Sequence, residues 1–529
     1  MKNKNIKLLK FICLMLCFVW IISCEDLLNV NQQGSTPIID FYQTDGDALE
    51  AIAAVYYQWR SIYSSDFNVK NLLSDDIYTG GGSRGDNSTY EQLNEYRFTP
   101  SNSIISGYFS GLYNLIYRSN LVINNIEDDS DIKKRVIAEA KVSRGWAYFH
   151  LLTFWGTPPL VLSSLTPDEY QQPNGNPQEI WAQIEKDFTE AIESNALPEK
   201  GSPTDRSVGA RLTKQAAQAF FGKVLLFEGK YTEAATTLKA VINSGKYELI
   251  DNYESILRAV EDFGAENIFE LNSLDDPENA WSQGNVMFAT MYGWRSDKMN
   301  LLGYYFGVHD LYPAGWGFYN PTKDVYNAFA SMEGANGYRL NATMKTYSQV
   351  KTIGAPIAPV TINSGASLYG HEGFFDWKYR LLGSEVIENS FGFATKTNFR
   401  VMRYAEVLLM AAEACLLSND EGSALNYINQ IRLRAQLSPL SEVTMEDIKN
   451  EKRLELWMEG TRFQDLVRWG DAATVLANQG QQIPVFNGTN VSYPYTNTTY
   501  GFKAGKHELL PFPEHEMNVN KNIQQNPGW

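Results

Sequence analysis

Cysteine is scarce in this chain, with four residues in 529, at positions 13, 17, 24 and 415. Three of them fall in the first 24 positions, so no disulfide framework and no paired Cys-x-x-Cys metal motif can be assembled from them. Histidine is equally sparse: the five residues, at 150, 309, 371, 507 and 515, show neither HExxH nor a close His/Cys spacing, so neither a zinc site nor another metal site is expected. Positive charge is in deficit, with 45 Lys and Arg against 61 Asp and Glu, a net charge of −16. Phosphate backbones would be repelled, which argues against nucleic acid as a partner. Long apolar runs are missing too. The run from Phe11 to Ile22 covers 12 residues, short of the roughly 20 that a membrane-spanning helix needs.

What that run does suit is a leader. Lys2, Lys4, Lys7 and Lys10 precede it as a positive region, the pattern of a secretory signal peptide over residues 1–23. It closes on Ile21-Ile22-Ser23-Cys24, which resembles a bacterial lipobox with Ile where Leu is more usual. Cys24 would then carry acyl chains, palmitate among them, and tether the protein to a membrane without a helix. Glu25 and Asp26 follow directly and resemble a surface-export signal.

Apolar residues recur at helical spacing over most of the remainder. Tyr404, Leu408, Ala411 and Cys415 share one face of a helix expected over Phe399 to Leu417, and Ala424, Ile428, Ile431 and Ala435 share a face of the next. Thr444 and Asp447 are spaced as a capping box for a third helix, and Phe463, Leu466 and Val467 mark a fourth. Earlier helices are expected over 46–63, 104–126, 131–155 and from Pro177. Gly222, Gly229, Tyr231, Ala234, Leu238 and Val241 fall at tetratricopeptide spacings, where small residues let two helices touch. The fold class is therefore mainly α: a tetratricopeptide-like scaffold of helical hairpins with long irregular, aromatic-rich insertions. One domain over 24–529 is expected, with the scaffold at about 40–250 and 398–475 and a variable insertion at about 250–397. The Asn- and Thr-rich stretch 480–505 reads as a surface loop.

Charged residues crowd the last helices. Glu455, Glu459 and Asp465 could be read as catalytic carboxylates, but with Arg453, Arg462 and Arg468 nearby the better reading is an ion-pair network joining two helices. The glycine-rich run Thr79 to Asp86 matches GxGxxG, GxSxG and RGD at once. A dinucleotide fingerprint and a nucleophile elbow each need a strand before and a helix after, and the stretch 71–100 reads mostly as loop. Its use is reach: Arg84, Tyr90 and Tyr96 could be presented to a ligand, with Asp75 and Asp76 accepting hydrogen bonds from hydroxyls, although Tyr96 suits packing equally well.

The insertion changes composition. Between Trp281 and Tyr319 stand 11 aromatic residues, where the chain average predicts roughly five. They interleave with glycine and follow no helical or strand period. Flat rings on irregular backbone dock sugar rings, which offer a weakly polar C–H face while Asp, Asn and Arg bond the hydroxyls. Trp281, Tyr292, Trp294 and Trp316 are the candidates for exposure, and a second small core would account for about half of the cluster.

Several blocks together resemble the SusD/RagB family of nutrient-binding outer-membrane lipoproteins. They are Arg403 to Ala414, Asn450 to Leu456, Glu459 to Phe463 and Asp465 to Gly470, with Ala138 to Phe149 and the closing His507 to Pro513 and Gln525 to Trp529. The resemblance implies a SusD-like fold whose loop after the first helix helps to form the ligand pocket. It also implies a cell-surface role without catalysis or cofactor: capture of an oligo- or polysaccharide and delivery to a SusC-like TonB-dependent transporter. A peptide binder of the RagB type and, from the acids alone, a glycoside hydrolase are the alternatives.

Overall fold

The computed structural model describes residues 41–288, 294–300, 310–312, 315–353 and 359–529. Its first helix, Asp45–Leu72, starts on a capping box in which Thr44 Oγ1 accepts from Asp47 N at 3.1 Å while the Thr44 N–H donates to the Asp47 carboxylate at 2.8 Å. It runs nine residues beyond the expected end because Phe67, Val69 and Leu72 continue its buried stripe. Helices Ser103–Asn125, Asp131–Trp155 and Pro177–Glu193 then pack in succession, each on the one before.

Tight helix pairs follow. Lys214–Glu228 packs on Tyr231–Asn243, and a Cβ on Gly222 would lie 2.5 Å from Leu238, so only glycine lets these two backbones approach so closely. Tyr231–Asn243 packs in turn on Tyr404–Leu417, which pairs with Glu421–Arg434. The scaffold is thus continuous in space across about 160 residues of intervening chain.

Three stretches differ from the sequence reading. Residues Phe399–Arg403 form a strand, antiparallel to Asn267–Leu271, and the helix begins only at Tyr404. Its apolar face starts there as well; the partner strand, more than 100 residues upstream, claims the residues before it. Residues 480–505 contain a hairpin, Gln482–Phe486 against Val491–Thr496, extended by Leu368–Tyr369. Asn487 turns it by accepting from the N–H groups of Thr489 and Asn490. In 71–100, Ile77–Thr79 pairs with Tyr319–Pro321, and Ser88–Asn94 is a short helix capped by Asn87.

A strand and a helix therefore do flank the glycine-rich run, but its amides are occupied. Gly80 N and Gly81 N donate to the carbonyls of Phe318 and Gly317, Gly82 N to Asp86 and Gly85 N to Glu91. No free N–H cradle for a pyrophosphate remains at these four glycines.

One apolar core draws residues from Tyr42 to Ile523. Met299, Val350, Val360, Leu368, Phe375 and Phe486 form a second, smaller core, and Ala280, Ile387 and Ala394 a third. Among the described residues no helix is long and apolar enough to cross a membrane.

The carboxylates of the last helices are paired, though mostly with partners other than those expected. Glu455, fully buried, meets Arg339 at 3.1 Å, Arg403 at 3.2 Å and Arg434; Glu459 meets Arg403 at 2.6 Å and Lys378 at 2.5 Å. Asp465 does take Arg468, at 2.9 Å, together with Lys452 at 2.8 Å. Burial pushes the Glu455 carboxyl up, but the facing guanidinia of Arg434, Arg403 and Arg339 outweigh it and hold the group at about 2. Glu455→Gln should destabilise the protein by about 3 kcal/mol at neutral pH, because it leaves buried guanidinia underpaired. The folded value lies below the ordinary one, so this contribution is complete above pH about 4.5 and fades as pH falls towards 2. Urea unfolding at pH 7, 5 and 3 should show the gap between wild type and variant narrowing below pH 5; a gap independent of pH would remove the charge from the explanation.

Candidate ligand-binding surface

Two of the four tryptophan and tyrosine candidates from the insertion come together. Trp281, in the short turn Ala280–Gln283, is 53% exposed, and Trp316 is 44% exposed. Phe393 sits between them, its ring centroid 5.7 Å from Trp281 at an interplanar angle of 29° and 5.9 Å from Trp316 at 53°. Phe391, two residues before Phe393 in the chain, is 81% exposed. The three rings in contact, Trp281, Phe393 and Trp316, form an open aromatic platform that turns from one end to the other.

Irregular backbone carries this platform, so something else must hold it. The chain neighbours of Trp281 and Phe393, Ala280 and Ala394, meet Ile387 in the small core, while the Phe393 ring packs against the main core. Asn285 and Thr395 exchange backbone hydrogen bonds of 2.8 and 2.9 Å alongside. Phe391 and Gly392 both take positive φ, 54° and 83°, and a Cβ on Gly392 would fall 1.8 Å from the Tyr312 ring, so this bend needs glycine.

Arg60, from the first scaffold helix, donates to the carbonyls of Asn272 at 3.0 Å, Ser282 at 2.8 Å, Gln283 at 2.7 Å and Gly284 at 3.3 Å. One guanidinium thereby ties the Trp281 turn to the helical body. A second guanidinium serves Trp316: Arg295 donates to its carbonyl at 3.2 Å and pairs with Asp297 at 2.7 Å and Asp86 at 3.8 Å. Asp86 and Asp297 are exposed, so carboxylates able to bond hydroxyls are linked through Arg295 to the Trp316 backbone.

The other candidates lie elsewhere. Trp294 is half-buried on the wall of the second core, 5.4 Å from Phe375 and 6.1 Å from Trp377, and its Nε1 donates to the Asp376 carbonyl at 3.2 Å. Tyr292 lies outside the described residues. Tyr90 is 8% exposed, with its hydroxyl accepting from Asn68 and its ring against Phe318, so it offers no open face. Tyr96 is buried and donates to the Leu73 carbonyl, which is the packing role. Arg84 chelates Glu95, donates to the Tyr369 hydroxyl at 2.9 Å and lies over the Tyr495 ring.

Asp75 and Asp76 are engaged by arginines of the last helices: Asp75 by Arg453 at 2.9 Å and Arg462 at 2.8 Å, Asp76 by Arg453 at 2.7 Å. Burial raises both carboxyls, but at Asp75 the two guanidinia outweigh it and the group stays below its ordinary value, whereas at Asp76 burial prevails. Sequence reasoning missed Phe391, Phe393, Asp86 and Arg295. The aromatic pair around Gly392 was a local signal; the arginine and the aspartate carried none, because only folding brings them to Trp316.

A polar groove of about 820 Å³ opens over the Asp75–Arg453 ion pair. Helix Lys323–Glu333 forms one wall and the stretch 478–482 with Thr496 and Thr498 the other. A smaller hollow of about 300 Å³, bordered by Arg84, Tyr495 and Tyr500, shares Gly480 and Thr496 with it. Among the described residues no cluster of His, Cys, Asp and Glu could hold a metal ion.

The chain resembles known proteins over most of its length. Residues 374–529 match the SusD family, and residues 27–226 match a family described as starch-binding associating with outer membrane. It is 26% identical over 552 residues to SusD-like protein P2 of Formosa agariphila, covering 98% of this chain and 99% of that protein. A SusD-like protein of Bacteroides ovatus is 25% identical, with coverage of 84% and 80%. A solved structure described as a laminarin binding SusD-like protein superposes with a TM-score of 0.77 at 28% identity, covering 92% of this chain and all of that one.

Removing the Arg60 clamp should loosen the Trp281 turn and spare the scaffold. In Arg60→Met, amide exchange across residues 272–286 should accelerate about tenfold or more, since each hydrogen bond to a charged donor is worth roughly 1.5–3 kcal/mol. Exchange in helix Lys214–Glu228 should not change. Equal protection of 272–286 in both proteins would show that the small core holds the turn without Arg60.

Proposed function

The chain belongs to the SusD/RagB family, and from that premise we propose that it is an outer-membrane, cell-surface lipoprotein that captures a glycan on the Trp281–Phe393–Trp316 platform and hands it to a SusC-like TonB-dependent transporter. The observation that carries the reading is the convergence of two exposed indoles on one phenylalanine, with Asp86 and Asp297 linked through Arg295 to the Trp316 backbone. Ring faces take the C–H side of a sugar and the polar groups take its hydroxyls. Exposed rings gathered into one contiguous group, unlike exposed apolar side chains scattered singly, point to an interaction site.

The ligand we put first is a laminarin-type glucan. Support comes from the laminarin-binding relative in structure and from the platform itself, whose rings are inclined at 29° and 53° to Phe393 and so follow a curved chain better than a flat ribbon. The description of the laminarin-binding relative in structure speaks of binding, and stacking with a few hydrogen bonds gives the modest affinity and rapid release that handover requires. Cys24, the first residue after the leader and outside the described residues, supplies the anchor. The description of the family matched at 27–226 supports the outer-membrane location.

Affinity electrophoresis in gels containing laminarin tests the platform. Trp281→Ala and Trp316→Ala should each weaken retention roughly five- to tenfold, equivalent to ~1–1.4 kcal/mol per lost stack. Unchanged retention in both would put the site elsewhere, and retention of oligopeptides in place of glycans would favour the RagB-type alternative. For the anchor, Cys24→Ser should abolish acyl labelling and release the protein from the membrane fraction. A labelled, membrane-bound serine variant would rule Cys24 out.

A further inference from the structure

The groove over the Asp75–Arg453 ion pair shares no lining residue with the aromatic platform, and its chemistry differs. Asp324, Asn327 and Ser331 project into it from one face of helix Lys323–Glu333, at i, i+3 and i+7, while Val325 and Phe329 bury the opposite face. Asn478, Gln482 and Thr498 face them across the groove. The side chains of these six residues make no hydrogen bond among the described residues, whereas Gln479 and Gln481 are fixed on backbone carbonyls. Three carboxamides, a carboxylate and two hydroxyls therefore stand uncommitted around a space large enough for several sugar rings.

Charge and polarity narrow the occupant. An anion would find Arg453 already held by Asp75 and Asp76, with Asp324 opposing it. A peptide needs apolar recesses for its side chains, and the lining supplies little beyond Ala328 and Val475. A neutral polyhydroxylated ligand meets carboxamides and a carboxylate that bond adjacent hydroxyls, with the half-buried Tyr78 ring in the floor. We infer that this groove is a second saccharide-binding site, one that grips hydroxyl edges by hydrogen bonds where the platform stacks on ring faces.

The two places are close enough to act on one polymer. Trp316 and Thr322 are six residues apart on a stretch that includes the strand Tyr319–Pro321, so their backbones are separated by no more than about 22 Å. A chain held at both would gain affinity by effective concentration without either contact being tight.

The inference takes its ligand class from the function proposed above, and the test separates the two. Four forms of the mature chain are compared by affinity electrophoresis in laminarin and by calorimetry with laminarihexaose: wild type, Trp281→Ala/Trp316→Ala, Asn327→Ala/Asn478→Ala, and the combined variant. The groove positions are exposed, so their alanine variants should fold. Asn327→Ala/Asn478→Ala should weaken retention by the polymer at least threefold. The residual retention of Trp281→Ala/Trp316→Ala should vanish in the combined variant.

If Asn327→Ala/Asn478→Ala matches wild type and the combined variant matches Trp281→Ala/Trp316→Ala, the groove is not a saccharide site while the platform stands. If only the groove variant loses binding, the platform reading falls and the groove stands. Should wild type ignore laminarin, the four forms are run on the polysaccharide that a glycan screen selects; a wild type that retains none overturns both readings.

Discussion

Charges removed from water must be paired, and in this protein that requirement ties the parts of the chain together. Arg339 comes from the short helix Tyr338–Thr343 within the insertion, Arg403 from the strand before the helix Tyr404–Leu417, and Arg434 from the helix after it. All three converge on Glu455, so its single carboxylate fixes the relative placement of segments up to 116 residues apart. Replacing such a network with apolar side chains can be neutral for stability, but breaking one member leaves an uncompensated charge. The arrangement therefore specifies geometry more than it adds stability. Arg453 and Arg462 extend it outward to Asp75 and Asp76 and thereby set the floor of the polar groove.

The exposed rings rest on that frame by a different device. Regular structure holds its own carbonyls; the segments bearing Trp281 and Trp316 do not, and leave carbonyls that an arginine can take. Arg60 reaches four of them and Arg295 the one of Trp316. Irregular backbone can thus present flat rings at angles a helix or strand would not allow, while still being anchored to the helical body. In the proposed function this division leaves the scaffold common and the ring-bearing segments free to suit a particular glycan.

Much of the helical architecture was legible in the residues. The boundaries Asp131–Trp155, the helix start at Pro177, the Thr444 capping box and the close contact at Gly222 all follow from local signals that a helix needs for itself. The strands were not legible. Phe399–Arg403 and Ile77–Thr79 pair with partners more than 100 residues away, and a strand so short has no period long enough to read. Of the ring candidates, Trp281 and Trp316 are exposed, whereas Trp294 and Tyr90 lean on cores. Composition could mark the cluster but not its sides, because inward and outward rings lack a repeating spacing here.

By itself, then, the amino-acid order determined a mainly helical scaffold, a lipobox-like leader and an aromatic-rich insertion, since each rests on neighbours within a few turns of chain. Tertiary structure alone decided that Phe393 would bridge two tryptophans, that Arg60 would hold one of them, and that Asp75 would meet Arg453 beneath an open groove. Those contacts join residues from 77 to 378 positions apart. No local preference encodes such meetings; they exist because packing of the whole chain brings distant segments side by side and leaves their buried polar groups to pair with one another.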